Sequence, residues 1–115
     1  MQPESLFASL ANATRLRCII LLCNQGELCV CELTHALGVS QPQVSRHLAQ
    51  LREQGLVTDR RAGHWVYYRV NPVLPAWAGA VLDELCTGLS DQDPFAADRR
   101  LLHAMPDRPE APRCA

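Results

Sequence analysis

The stretch that decides the fold is GVSQPQVSRHLAQLREQ, which runs from residue 38 to residue 54. Its large apolar side chains recur at i, i+4 and i+7, namely Val44, Leu48 and Leu51. This spacing predicts an amphipathic α-helix over 41–54. Ser40 suits the N-cap of that helix, and Pro42 fits its first turn, where a missing backbone N–H costs little. One face of the helix is therefore expected to lie in the core, and the other face is polar.

A second, shorter helix is predicted immediately before this one. The run 28–37 places Val30, Leu33 and Leu37 on one side, and Gly38 ends it. Residues 38–40 then form a tight turn. Two short helices joined by a glycine-containing turn, the second polar on its outer face, are the helix-turn-helix pattern.

The flanking sequence completes the predicted fold. The spacing of apolar residues predicts helices over 3–11, 14–23 and 74–89. Runs rich in Val, Tyr and Trp predict strands over 57–61 and 65–70. Asn12 suits the N-cap of the second helix, and Ala62-Gly63, with His64, is expected to turn the β-hairpin. The order ααααββα is mainly α with a small β-hairpin, an α+β class, and corresponds to a winged helix-turn-helix.

Length and composition limit the domain organisation. With 115 residues the chain has room for one domain with one modest core. We expect that domain over residues 1–90, an extra helix over 91–105 and a loose, proline-rich tail over 106–115. The N-terminus has no signal-peptide pattern, and no stretch approaches the ~18 apolar residues that span a bilayer. We therefore expect a cytoplasmic protein with no membrane partner.

The charge is unevenly distributed along the chain. The net charge is −1, but residues 40–70 hold five arginines against two acidic residues, a local charge of +3. A local field of this sign attracts phosphates even when the whole molecule is slightly acidic. The positive stretch coincides with the predicted helix-turn-helix and hairpin.

The polar face of the helix over 41–54 has the chemistry to contact base edges. Its side chains recur at helical spacing, namely Gln43, Arg46, His47 and Gln50. Arginine forks onto guanine, and glutamine pairs with adenine. Phosphate contacts are expected from the helix start and the hairpin tip, namely Ser40, Gln41, Ser45, Arg60, Arg61 and His64. An ordinary solvated face is the alternative, but the adjacent basic hairpin favours binding to double-stranded operator DNA.

A pair of cysteines, Cys29 and Cys31, is the sharpest chemical signal. Thiolates are soft ligands and select soft ions, and a reducing compartment favours such a role over disulfides. The alternative is two buried cysteines that only pack. On a helix, positions i and i+2 lie ~200° apart, so one ion held by both sulfurs would have to distort the first turn. Because this helix precedes the DNA-reading helix, the distortion is expected to oppose DNA binding.

The other cysteines and the histidines carry weaker signals. Cys23 lies on a predicted apolar stripe and is expected to pack, Cys86 is expected in the core or a dimer interface, and Cys18 has no assigned role. Cys114, in the tail, could lend a further sulfur. The four histidines show no metal-ligand spacing.

Four motifs together resemble the ArsR/SmtB family, and in particular its arsenical-resistance operon repressors. They are LANATR at 10–15, ELCVCEL at 27–33, SQPQVSRHL at 40–48 and GHWVYYR at 63–69. The resemblance implies a homodimer paired through its first and last helices, with residues 1–90 serving DNA binding and dimerisation. It also implies a repressor that leaves DNA when As(III) or Sb(III) binds Cys29 and Cys31, with no organic cofactor.

One departure leaves the ligand set open. Some arsenic-sensing relatives carry a third cysteine three residues after the pair, where this chain has Thr34. The third donor is then Cys114, a more distant thiol, solvent or a small thiol, or the site has only two sulfurs. A cadmium/lead-type sensor and a thiol-redox repressor are the alternatives on the same fold. An enzyme is not expected, because no anion-binding loop follows any cysteine.

Overall fold

The computed structural model describes residues 1–108, so residues 109–115, including Cys114, lie outside the described part. The described helices are α1 (Pro3–Leu10), α2 (Ala13–Gln25), α3 (Val30–Leu37), α4 (Gln41–Glu53), α5 (Ala76–Leu89) and α6 (Phe95–His103). The described strands are β1 (Glu27–Cys29), β2 (Val57–Ala62) and β3 (Trp65–Val70). A mainly helical fold with a small antiparallel sheet, as the sequence predicts, is confirmed.

The helix-turn-helix packs as its apolar spacing predicts. Val44, Leu48 and Leu51 of α4 are fully buried, together with Leu33 of α3. Gly38 ends α3 with φ +65°, in the left-handed region that glycine adopts without a steric penalty. The core of the protein therefore lies between these two helices and α2, whose leucines and isoleucines are also buried.

The N-terminal helices meet at a sharp corner. The side chain of Asn12 caps α2 by accepting a hydrogen bond from the Arg15 backbone N–H at 3.0 Å, as predicted from the sequence. Within residues 1–108 no single helix has the length and apolar character needed to cross a bilayer. α1 and α2 meet that requirement only as a pair, bent by 100°.

The hairpin turn is one residue shorter than expected. β2 extends to Ala62, which pairs with Trp65, so the turn consists of Gly63 and His64, whereas the sequence predicts Ala62-Gly63 with His64. Gly63 has φ +62°, as the first residue of a type II′ turn requires. His64 lies at the tip of the hairpin, as expected.

The start of the third predicted helix is wrong. Residues 27–29 form β1, which pairs antiparallel with β3 at the edge of the sheet, with Cys29 opposite Tyr67. The helix α3 begins only at Val30, and Cys29 is its N-cap. A short apolar run does not distinguish strand from helix by its spacing. Here the edge of β3 supplies hydrogen-bond partners, and the strand forms.

The last helix is anchored by a buried ion pair. Asp98 of α6 is 2% exposed, and its two carboxylate oxygens accept hydrogen bonds from Arg17 of α2 at 2.6 and 2.9 Å. Arg17 also donates to the backbone carbonyl of Leu37, the last residue of α3. The helix that the sequence offers only as an addition is therefore tied to both α2 and α3.

Candidate DNA-binding surface and thiol site

The outer face of α4 is available for a ligand. Gln41, Gln43, Arg46 and Gln50 are exposed, whereas Ser45 and His47 are half-buried. Ser40, at the N-cap, donates its hydroxyl to the side-chain oxygen of Gln43 at 3.1 Å. The seven polar residues predicted on this element thus lie on or beside one face, and their contacts with DNA stay a prediction.

Arg15, which the sequence analysis missed, holds two of these residues from α2. Its Nη1 donates to the Gln50 Oε1 at 2.9 Å and lies 3.4 Å from the His47 Nδ1. Its Nε and Nη2 donate to the backbone carbonyls of Ser9 and Ala8. Because the guanidinium is fixed to the end of α1, it restricts the orientation of both side chains on α4.

The same contact sets the charge state of His47. Burial, then the charge of Arg15, lowers the pKa of the imidazole, so the ring is neutral near pH 7. Its Nδ1 accepts from Arg15, which leaves the proton on Nε2. His47 is therefore expected to meet a ligand as a neutral donor and not as a cation.

The basic residues predicted on the hairpin lie in two different places. Arg61 and His64 are exposed near its tip. Arg60 instead forms an ion pair with Glu27 of β1 at 2.7 Å, and its guanidinium carbon lies 4.7 Å from the centre of the Tyr67 ring. Successive side chains alternate across a strand, which places Arg60 and Arg61 on opposite faces. The structure thus groups Arg61 with His64 and separates Arg60 from them.

The thiol pair lies at the junction of β1 and α3. The Cys29 backbone N–H donates to the Glu32 Oε1 at 2.9 Å, and the Cys29 sulfur accepts from the Glu32 backbone N–H. This reciprocal pair of bonds caps the helix. Cys31 is the second residue of α3, and its side chain packs against the buried side chains of Cys29 and Tyr67.

This geometry corrects the expectation that the two sulfurs lie on opposite sides of a helix. Cys29 precedes the helix with extended backbone, at φ −82° and ψ 164°, and the two cysteines line the same cleft. One ion can therefore contact both without unwinding a regular turn. What such an ion would disturb is the cap, because the Cys29 sulfur is also the acceptor for the Glu32 N–H.

Burial controls the reactivity of Cys29. It raises the pKa of this thiol well above the ordinary value of 9.0, and the hydrogen bond with Cys31 raises it further. The protonated form therefore dominates at neutral pH. Since the thiolate is the form that attacks oxidants, this environment does not favour a peroxide-sensing thiol.

The thiols, the reading helix and the hairpin tip share one cleft. Its volume is about 380 Å³. Its lining includes six residues that the sequence predicts to bind the ion or DNA, namely Cys29, Cys31, Gln41, Ser45, Arg61 and His64. An ion bound at the two thiols would therefore lie next to residues that are expected to contact DNA.

A buried carboxylate connects this site to the C-terminal segment. Glu32 is fully buried, and Arg108 pairs with its Oε2 at 2.5 Å. The beginning of the segment expected to be loose thus returns to the start of α3. The suggested donor Cys114 lies outside the described residues.

Other donors around the thiol pair are few. Within residues 1–108, no group of three or more His, Cys, Asp or Glu side chains is arranged to hold a metal ion. The Thr34 hydroxyl is buried with no hydrogen-bond partner among these residues. Cys18 is buried in the main core, Cys23 packs against that core as predicted, and Cys86 lines a different cleft together with Cys23. Two soft sulfurs on one cleft fit an ion that accepts a dithiol.

Residues 12–59 match the family described as "Bacterial regulatory protein, arsR family". The chain is 48% identical to the arsenic resistance transcriptional regulator ArsR1 of Pseudomonas putida, over 97% of this chain and 86% of the relative. It is 56% identical to the arsenical resistance operon repressor of Escherichia coli, over 71% and 70% of the two chains.

A solved structure gives the same result for the fold. The AntR antimony-specific transcriptional repressor superposes with a TM-score of 0.60 at 34% identity, covering 71% of this chain and 72% of that one. These similar proteins are DNA-binding transcriptional regulators and not enzymes, as the sequence predicts. The helix-turn-helix of α3 and α4, its basic hairpin and these relatives show that the chain belongs to the ArsR family of transcriptional repressors.

Proposed function

We propose that this protein is a cytoplasmic homodimeric repressor that binds operator DNA and releases it when arsenite or antimonite binds Cys29 and Cys31. The observation that carries the proposal is the shared cleft, which brings the two thiols together with the start of α4 and the hairpin tip. The names of its relatives, which refer to arsenical resistance and antimony, support the choice of ion.

The thiol pair suits trivalent arsenic and antimony. The two sulfurs are soft donors on residues that pack together and line one cleft. Each thiol gives its proton to a hydroxyl of arsenous acid, which leaves as water as the sulfur–arsenic bond forms. Because the hydroxyl removes the proton, the raised pKa of Cys29 does not prevent this exchange. A third donor from outside residues 1–108, or solvent, completes the coordination.

Two connections transmit binding at the thiols to the DNA-binding surface. Cys29 pairs with Tyr67 of β3 and so belongs to the sheet that carries the hairpin tip. It also caps α3, which packs directly against α4. Drawing its sulfur toward an ion withdraws the acceptor from the Glu32 N–H and shifts the junction. Couplings of this kind are ~1–3 kcal/mol, so the ion is expected to weaken operator binding roughly 5- to 150-fold.

Operator recognition is assigned to α4 and the hairpin. Arg46 and the glutamines of α4 would contact base edges in the major groove, with Arg61 and His64 on the adjacent backbone. Ser40, Gln41 and Ser45 would hold phosphate at the start of the helix. Arg60 can contribute only after leaving Glu27, so its share in DNA binding is expected to be small.

Exposed apolar side chains support the homodimer. Phe7 of α1 is 56% exposed and Trp77 of α5 is 41% exposed. Phe7 lies on the first helix, and Trp77 lies on α5, which is the last helix of the predicted ααααββα order. Burying both side chains against a second copy would remove this apolar surface from water. Sedimentation of the purified protein tests this part directly.

The decisive experiment is operator binding followed by fluorescence anisotropy under reducing conditions. A labelled duplex from upstream of the gene is titrated with protein, then with arsenite, antimonite, cadmium and zinc. Cys29→Ser and Cys31→Ser should bind DNA normally and fail to release it with arsenite. Cys86→Ser, which leaves the pair intact, should respond to arsenite like the wild type. Normal release by the Cys29→Ser/Cys31→Ser double variant would overturn the proposal.

A further inference from the structure

A second pair of thiols lies outside the site described above. Cys23, near the end of α2, and Cys86, in α5, line the same cleft between these two helices, and Cys86 raises the pKa of the Cys23 thiol. The Cys86 thiol in turn donates to the Asn24 Oδ1 at 3.4 Å. Spacing along the chain does not reveal this pair, because the two cysteines come from helices that meet only in the folded protein.

These thiols open into a cleft of their own. Its volume is about 510 Å³, within the range of small-molecule sites. Part of its wall is apolar, formed by Leu22, Pro72, Leu74, Pro75 and Leu82. It shares no lining residue with the cleft at Cys29 and Cys31. The molecule therefore has a second dithiol next to a space that can take an organic group.

We propose that Cys23 and Cys86 form a binding site for trivalent organoarsenicals of the type R–As(OH)₂, with the carbon substituent lying in the cleft between α2 and α5. Such a compound has two exchangeable hydroxyls, and two thiols replace both of them. Two sulfur–arsenic bonds form, two arsenic–oxygen bonds break, and the two thiol protons leave with the hydroxyls as two waters. Arsenic stays trivalent, so no oxidant or reductant is needed.

The environment of the pair favours this ligand class over an oxidant. Burial raises the pKa of the Cys23 thiol to about 12, and Cys86 adds to the shift. Peroxides react with the thiolate, which is scarce under these conditions. An arsenic hydroxyl carries the thiol proton away as water and does not depend on a preformed thiolate. Inorganic arsenous acid would keep a third hydroxyl, and within residues 1–108 no third cysteine lines this cleft.

The test uses phenylarsonous acid and a chain without the first thiol pair. In a Cys29→Ser/Cys31→Ser/Cys114→Ser background, native mass spectrometry should show one adduct that retains the phenyl group and has lost two waters. Adding either Cys23→Ser or Cys86→Ser leaves a single thiol at the site, and the affinity should fall about 100-fold or more. An unchanged adduct in these variants, which would then reside on Cys18, would overturn the proposal. Circular dichroism checks that each variant is folded.

A pair of glycine variants tests the cleft without touching sulfur. Gly79 lines the cleft and Gly88 does not, and a Cβ added at either position meets nothing within 4 Å. Gly79→Leu should weaken phenylarsonous acid binding at least about 10-fold and affect methylarsonous acid less, whereas Gly88→Leu should change neither. Equal effects of the two variants would refute the placement of the substituent. Both sets of variants are made in the background that lacks Cys29 and Cys31, so neither result depends on the arsenite response of that pair.

Discussion

Replacing Arg15 is expected to weaken DNA recognition although this residue need not touch DNA. Its guanidinium reaches the Gln50 Oε1 at 2.9 Å and lies 3.4 Å from the His47 Nδ1. A hydrogen bond of this kind contributes ~0.5–1.5 kcal/mol net, and the Gln50 contact is exposed, so we take ~1 kcal/mol for the ordering of α4 side chains. Arg15→Ala should therefore lower operator affinity about fivefold.

The loss should depend on sequence, because it acts through side chains that read bases. Anisotropy titrations with the operator and with base-substituted duplexes should show that the difference in affinity between them is smaller for Arg15→Ala than for the wild type. Arg15→Lys, which keeps the charge but not the planar fork, should behave like Arg15→Ala. Arg52→Ala is the control, since Arg52 lies on α4 but pairs with Asp59.

A uniform loss across all duplexes would refute this reasoning. If the salt dependence of binding also became shallower by about one charge, Arg15 would be a phosphate contact and not a positioning residue. Wild-type operator affinity of Arg15→Lys would lead to the same conclusion, because the positive charge alone would then be enough for this contribution to binding.

Three further predictions concern other parts of the molecule. Arg46→Ala should lose ~1–3 kcal/mol of its preference for the operator base that Arg46 contacts. Arg61→Ala should lower the affinity for all duplexes alike and make the dependence of affinity on salt shallower. Both effects are measured by anisotropy at several salt concentrations. Arg17→Met should destabilise the protein by up to ~3 kcal/mol in urea unfolding, because it leaves the buried carboxylate of Asp98 unpaired. Asp98→Asn should reduce stability less than Arg17→Met does, since Arg17 is partly exposed and can be hydrated. A larger loss for Asp98→Asn would contradict the view that the buried charge of Asp98 is the costly one. Burial raises the pKa of the Cys18 thiol from 9.0 to about 12, so this thiol stays protonated in the folded chain while it ionises in the unfolded chain. The contribution of this thiol to the free energy of unfolding is fully present below pH 9. It is lost as the pH rises toward 12, by up to ~1.4 kcal/mol per pH unit. Cys18→Ala should remove this part of the pH dependence of the free energy of unfolding.

The ion pair of Glu32 with Arg108 gives the thiol site a second point of control. The carboxylate of Glu32 accepts a hydrogen bond from the Cys29 N–H, is fully buried and pairs with the guanidinium of Arg108. Removing one partner of a buried pair is costly because the other charge is left uncompensated. The segment that carries Arg108 is thus coupled to the position of Cys29.

The sequence by itself determined the elements whose patterns are local. The i, i+4, i+7 spacing in α4 identified its buried face, and the runs rich in Val, Tyr and Trp identified β2 and β3. Asn12 and Gly38 marked a helix start and a helix end correctly. These features depend on neighbours within one or two turns, which spacing and residue type record. The four motifs at 10–15, 27–33, 40–48 and 63–69 together also identified the family.

Only the tertiary structure decided the features that join distant segments. Residues 27–29 form a strand because the edge of β3 is there to pair with them, although their spacing equally allows a helix. Arg15 and Gln50 are 35 residues apart, and Arg17 and Asp98 are 81 apart. Such contacts depend on how helices pack, which leaves no periodic trace in the chain. For the same reason the packing of Cys31 against Cys29 and the shared cleft of Cys23 and Cys86 became visible only in the folded chain.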